Sequence, residues 1–257
     1  MNLDGPISFD LDPHRRGDGA PTILYLHGEN GLADADTFLA ELARQTGVTA
    51  PVLPGFDGTA VPGWLDDMQD LALYMCDWMR LQSLSGVHLV GHSLGGWLAA
   101  EMAMLDSKLV SRLTLIAPGG LRHPTLRMHD IFMAALPEVA RLSVHDEVLA
   151  VQWAAHAADP ERADVNLQNR FMTARLAWQP RFYSPRLEKW LHRTNVRAQI
   201  IWGGEDRIMP SGFAEGFEAR LRDCRTRVIP GCGHLPPLEQ PHALAELVLS
   251  FSSGTAR

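Results

Sequence analysis

The chain has 257 residues, 46% hydrophobic and 21% charged, which are values of a globular protein holding one large core, or one core plus an inserted subdomain. A formal net charge of −7 and a pI near 5.8 argue against a nucleic-acid-binding surface or an anionic membrane partner, and leave a neutral or apolar small molecule open. Cys76, Cys224 and Cys232 make no C-x-x-C pair and no disulfide framework, so reduced thiols in a cytoplasmic protein are expected and a Cys224–Cys232 bridge is unsupported.

The first residues, Met1-Asn2-Leu3-Asp4-Gly5-Pro6, carry no basic segment ahead of an apolar stretch, which reads against a signal peptide. No run approaches 18 apolar residues, so no membrane-spanning helix is expected. Residues 11–21 are polar and rich in Gly, Pro, Asp and Arg, and read as a surface loop. Thr22–Leu26 lacks strict alternation, as a strand buried on both faces does, and it ends at His27-Gly28-Glu29-Asn30-Gly31. Leu39, Leu42 and Ala43 mark a short helix before Val48–Val52. After the loop Leu53–Gly58, apolar residues from Leu65 to Met79 recur three or four apart, along one helix face.

Val87-His88-Leu89-Val90 then drives into Gly91-His92-Ser93-Leu94-Gly95, and small residues Ala99, Ala100 and Ala103 follow at helical spacing. This is the sequence form of a nucleophile elbow, a serine on a sharp strand-to-helix turn with its hydroxyl exposed. Leu109–Ile116 reads as the next strand, ending at Pro118-Gly119-Gly120. Strand, loop and helix in repetition predict an α/β fold with a mostly parallel sheet. From about Leu121 to about Trp190 no strand is evident, and helical patterns over Val144–Ala158 and Ala163–Trp178 are broken by Pro137, Pro160, Pro180 and Pro185. This segment is rich in large apolar residues and is expected to pack over the sheet mouth as a helical cap. The expected division is therefore core 1–120, cap 121–190 and core 191–257. The rhythm resumes with a strand at Ala198–Trp202, a helix through Phe213, Phe217 and Leu221, a strand at Thr226–Ile229 and a last helix near 240–250.

A serine hydroxyl is a poor nucleophile until a base takes its proton, and histidine titrates in the useful range. His234, on the loop after the final strand, is the candidate base. Asp206 follows the 198–202 strand in the chain order serine, acid, histidine, with Glu205 as a solvated rival. The oxyanion needs backbone donors. Leu94 N–H at the helix start is one, and Glu29 N–H, with Asn30 as second choice, is the other. The Glu29 side chain is expected to point away, because a carboxylate facing an oxyanion would repel it. His92 is expected to pack or hydrogen-bond. With Gly28, Asn30, Phe132, Trp153 and Leu235 it completes the set of candidates for substrate contact. No H-E-x-x-H, clustered His/Asp spacing or G-x-G-x-x-G appears, so no metal and no cofactor are expected. Asp57 and Asp70 show no spacing beyond surface roles.

Together these segments resemble the α/β-hydrolase superfamily, in its cap-bearing branch. His27-Gly28 matches its oxyanion loop, Gly91–Gly96 its elbow, Gly203-Gly204-Glu205-Asp206 its acid loop and Gly231–Pro241 its histidine loop. The resemblance implies the triad Ser93, Asp206 and His234, and a cap at about 121–190. Serine in place of the aspartate used by haloalkane dehalogenases and epoxide hydrolases of this shape speaks against those activities. The expectation is a monomeric or homodimeric hydrolase of small to medium, partly apolar esters. Carbon–carbon hydrolases of ring-cleavage products share the skeleton, and a substrate-holding arginine for that chemistry would come from Arg127, Arg175 or Arg181. Lactone cleavage, acyl transfer and a non-catalytic ligand receptor use the same frame.

Overall fold

A computed structural model describes residues 7–254; the N-terminal hexapeptide read against a signal peptide lies outside them. Seven strands form one sheet: β1 (Arg15–Arg16), β2 (Pro21–Leu26), β3 (Gly47–Thr49), β4 (Val87–His92), β5 (Val110–Ile116), β6 (Arg197–Gly203) and β7 (Cys224–Ile229). They lie in the order β1-β3-β2-β4-β5-β6-β7, parallel throughout except for β1, which runs antiparallel to β3. The segment expected to be only a surface loop thus supplies an edge strand of two arginines. Two residues are too few to show a period, and charge at an edge discourages further pairing.

The central strands are buried on both faces, which is why they read as apolar runs rather than alternations. Leu24, Leu26, Leu89, Leu113, Leu115, Ile200 and Trp202 point to one side. Helices α2 (Met68–Leu81) and α3 (Leu94–Leu105) cover that side. Ile23, Tyr25, Val90, Ile116 and Ile201 point to the other, against α1 (Asp36–Ala43) and the C-terminal helix Pro241–Ser252. Helix α2 starts where Asp67 accepts the N–H groups of Gln69 and Asp70, at 2.8 and 2.9 Å, so Leu65 stays buried but precedes the helix. Between β6 and β7 the expected helix is shorter than its apolar spacing: one 3-10 turn, Ser211–Phe213, runs into Ala214–Glu218, although Phe213, Phe217 and Leu221 are all buried.

Between β5 and β6 lie four helices, α4 (Leu136–Ser143), α5 (Glu147–Ala157), α6 (Ala163–Ala177) and α7 (Pro185–Trp190), with no named strand among the described residues. Prolines fall at helix starts (Pro137, Pro185) or in the linking 3-10 turn (Pro160), where a missing N–H costs nothing. Ile131, Phe132, Met172, Leu176 and Phe182 join the apolar cluster of the sheet, whereas Met133, Val148, Val151, Leu167, Phe171 and Trp178 stand exposed. No helix among the described residues is long and apolar enough to cross a membrane.

Candidate active site

Ser93 occupies the turn between β4 and α3 with φ +49° and ψ −111°, a conformation costing a non-glycine residue about 1–3 kcal/mol. Neighbouring bonds hold it there: Ser93 N–H donates to Ile116 O at 2.9 Å, and Ser93 O accepts from Trp97 and Gly119 at 3.0 Å each. A Cβ at Gly91 would lie 2.2 Å from Gly95 O, and one at Gly95 would lie 2.2 Å from Leu26 O. The glycines of the elbow are therefore demanded by close backbone approach. Leu94 opens α3, so its N–H has no carbonyl one turn back in the same helix and stays free to meet an anion.

His234 follows β7 and brings Nε2 to 3.1 Å from Ser93 Oγ and Nδ1 to 2.7 Å from Asp206 Oδ2. All three side chains are buried. Asp206 uses both oxygens. Oδ1 accepts the N–H groups of Ile208 and Met209 at 2.9 and 2.7 Å, and Oδ2 also accepts Trp202 Nε1–H at 3.0 Å. Trp202 has no sequence signal for this role beyond being the apolar end of β6. Its indole is shared with Met209 O at 2.8 Å and locks the acid loop. Burial alone would favour a neutral His234. The charge and hydrogen bond of Asp206, joined by Glu29 and Asp34, outweigh it and raise the imidazolium to about 9. Glu205 is exposed as expected, yet its carboxylate is not merely solvated: it accepts Cys232 N–H at 3.1 Å. The three cysteines are free.

The loop after β2 turns back on itself at Gly28 and Gly31, bridged by Gly31 N–H to Gly28 O at 3.3 Å. His27 is fully buried and spans two segments, Nε2 accepting Leu53 N–H at 2.9 Å and Nδ1–H donating to Gly28 O at 2.7 Å. Burial, the dominant influence, lowers its pKa and keeps it neutral. The expectation that the Glu29 side chain turns away is corrected here. Glu29 Oε1 lies 3.8 Å from His234 Nε2, with only 11% of the side chain exposed. The tight turn at 28–31 leaves this side chain directed into the site rather than to solvent. His92 does pack and hydrogen-bond: Nε2–H donates to His234 O at 2.8 Å, while burial, then the His234 charge, lowers it to about 4. Gly28 gives that ring its space, since a Cβ there would lie 2.9 Å from His92 Nδ1.

A cavity of about 60 Å³ adjoins this site. Of the candidates for substrate contact, Asn30, Phe132 and Trp153 line it together with Glu29. His92 and Gly28 instead pack behind the site, and Leu235 is fully buried against Val144 and Ala150. The arginine candidates also fall elsewhere. Arg127 donates to Pro124 O and Leu126 O, Arg175 pairs with Asp66, and Arg181 pairs with Asp130 while lying over Trp178. The arginines lining the cavity are Arg162, whose Nε is buried without a partner among the described residues, and Arg170. Neither stands out in the sequence, because a turn residue and one position on α6 meet there only through folding.

Asp57 is a further correction to a surface role. It receives Leu32 N–H at 2.9 Å and Asn169 Nδ2–H at 2.9 Å, so it ties the loop after β2 to α6. Glu239 does the same on the opposite side: it accepts Gly233 N–H at 2.6 Å with Oε2, and the N–H groups of His145 and Asp146 with Oε1. Among the described residues no group of three or more His, Cys, Asp or Glu is arranged to hold a metal ion.

Residues 23–247 match the model of the Alpha/beta hydrolase family. The chain belongs to this family. Among relatives of this α/β hydrolase, a 2-hydroxy-6-oxo-6-(2'-aminophenyl)hexa-2,4-dienoic acid hydrolase of Metapseudomonas resinovorans is 26% identical, covering 93% of this chain and 86% of the relative. A monoacylglycerol lipase of Homo sapiens is 24% identical, over 90% and 75% of the two chains. The fold is shared with a solved membrane phospholipase A (TM-score 0.77, 22% identity, 96% and 87% covered). It is also shared with a meta-cleavage product hydrolase from Pseudomonas fluorescens (TM-score 0.74, 20% identity, 94% and 93% covered).

Proposed function

We propose that this hydrolase cleaves small to medium, partly apolar carboxylic esters through an acyl-enzyme formed on Ser93. The observation that carries this reading is the buried series Ser93 Oγ, His234 Nε2, His234 Nδ1, Asp206 Oδ2, at 3.1 and 2.7 Å. His234 takes the hydroxyl proton as Oγ attacks the carbonyl carbon. Asp206 fixes the tautomer and opposes the imidazolium charge. The N–H groups of Leu94 and Glu29 receive the oxyanion. His234 then returns the proton to the leaving alcohol, takes one from the water that attacks the acyl carbon, and passes it to Ser93 Oγ as the acid leaves. The helices at 121–190 serve as a cap, and Phe132, Trp153 and Ile131 give its underside an apolar face for the acyl chain.

Turnover of p-nitrophenyl acetate and butyrate by the protein and by Ser93→Ala tests this. The expected result is a fall of at least ~1,000-fold in kcat for the variant; an unchanged rate overturns the reading. A second reading, carbon–carbon bond hydrolysis of a vinylogous diketone carrying a carboxylate, is favoured by one observation: Arg162 and Arg170 line the same cavity. Decay of a coloured dienoate, abolished by Ser93→Ala and weakened by Arg162→Ala, would select it over the ester. A ligand receptor on this frame would bind without turnover and leave a fluorophosphonate probe unreacted.

A further inference from the structure

Glu29 belongs to neither the relay nor the cavity's apolar lining. Its carboxylate nevertheless reaches within 3.8 Å of the His234 nitrogen that must carry the proton, and Oε2 is buried with no hydrogen-bond partner among the described residues. A carboxylate oxygen left without a donor at this depth is costly unless a positive charge forms nearby. His234 Nε2 gains that charge when Ser93 gives up its proton.

Resting on the serine-hydrolase reading, we propose that Glu29 is a positioning residue for His234, a second carboxylate that faces Nε2 while Asp206 holds Nδ1. The two carboxylates embrace the imidazolium from opposite ring nitrogens. The groups around His234 are Asp206 from the loop after β6, Glu29 and Asp34 from the loop after β2, and His92 from the elbow. His92 and His27 are kept neutral by burial, and Asp34, raised to about 7 chiefly by burial, carries only part of its charge at neutral pH. Tyr25 is pushed well above its ordinary value and stays neutral. From the insert, Arg162, Arg170 and His156 face the same cavity; Arg170 is engaged by Phe132 O and Ala134 O. Glu29 is therefore the carboxylate that the fold sets against Nε2.

The pH consequence has a fixed sign. A negative charge beside the base favours its protonated form, so the base becomes neutral, and the site active, only at higher pH. A unit charge 3.8 Å away is worth about one pH unit even when fully screened by water, and more when partly buried.

The test is the rate at which an uncharged fluorophosphonate reacts with Ser93, followed against pH in the full chain, Glu29→Gln and Glu29→Asp. This readout depends on the base but not on the substrate. The expected result is an acid limb about one pH unit lower in Glu29→Gln. One unit below the wild-type midpoint, that variant would then react about fivefold faster relative to its own plateau. Glu29→Asp should keep the limb near the wild-type position. A limb unmoved in Glu29→Gln, with Ser93 still labelled, overturns the role of Glu29 alone. No labelling of the wild type at any pH overturns the serine-hydrolase reading and this role with it.

Discussion

The sheet and the helical insert solve their folding problem differently. In the sheet, the central strands bury their large apolar side chains and the flanking helices bury most of theirs, Leu73 and Leu81 of α2 being exposed, while the elbow is shaped by backbone contacts that exclude any Cβ at Gly91 and Gly95. The insert leaves Met133, Val148, Val151, Leu167, Phe171 and Trp178 in solvent, and it is attached both by apolar side chains that join the sheet's cluster, such as Phe132, Met172 and Phe182, and by polar bonds. Asn169 meets Asp57, Gln168 donates to Gly55 O and Thr59 O, and Arg207 donates to Arg141 O and Val144 O. Close packing holds the elbow, while the insert combines apolar packing with these polar bonds and an exposed apolar face. On the proposed reading, the reaction belongs to the loops of the sheet and the choice of substrate to the insert.

The largest effect that would break this division is at Asp206. Asp206→Asn is expected to lower kcat by about 10⁴-fold, because the amide offers Nδ1 the wrong partner, while the circular-dichroism spectrum stays native. Next is the join between the two regions. Glu239→Gln replaces an acceptor of three N–H groups by one with a single acceptor oxygen; a loss of about 1–3 kcal/mol in denaturant unfolding is expected, with reduced kcat. Trimming the insert at Phe132→Ala should move the preferred acyl length by one or two carbons and change kcat/KM by roughly 10-fold for short chains, leaving the acid limb in place. That limb follows His234: because its pKa is raised to about 9, kcat/KM should fall as pH drops through that value, above the ordinary histidine value near 6.5. The smallest effect belongs to the exposed face, where Phe171→Ser should alter stability by no more than about 0.5 kcal/mol.

The central strands, the elbow, and the candidate order serine, acid, histidine are legible in the sequence, unlike the edge strand β1, because they rest on contiguous residues: apolar runs for strands buried on both faces, and glycines flanking Ser93. The expected strand at 22–26 and helix at 163–178 match β2 and α6 to within a residue. Less legible were groups whose partners are distant in the chain. Asp57 meets Asn169, 112 positions away, and nothing in the Pro54–Gly58 loop marks that meeting. Trp202 looked like strand core and is also a donor to Asp206. The oxyanion taken alone argues for a Glu29 side chain turned away from the site. The imidazolium forming in the same step offers a compensating charge, and the turn at 28–31 directs the carboxylate to it.

One carbonyl carries a mechanical consequence. Ser143 O, at the end of α4, accepts both His234 N–H at 2.7 Å and Leu235 N–H at 3.2 Å. The first helix of the insert is thereby clamped to the backbone of the proposed base. An outward swing of α4 would tear both bonds and carry His234 out of line with Ser93, so a gate hinged there would switch the enzyme off as it opened. A gate that keeps the relay aligned must pivot farther along, past the α4–α5 turn that Glu239 and Arg207 also grip.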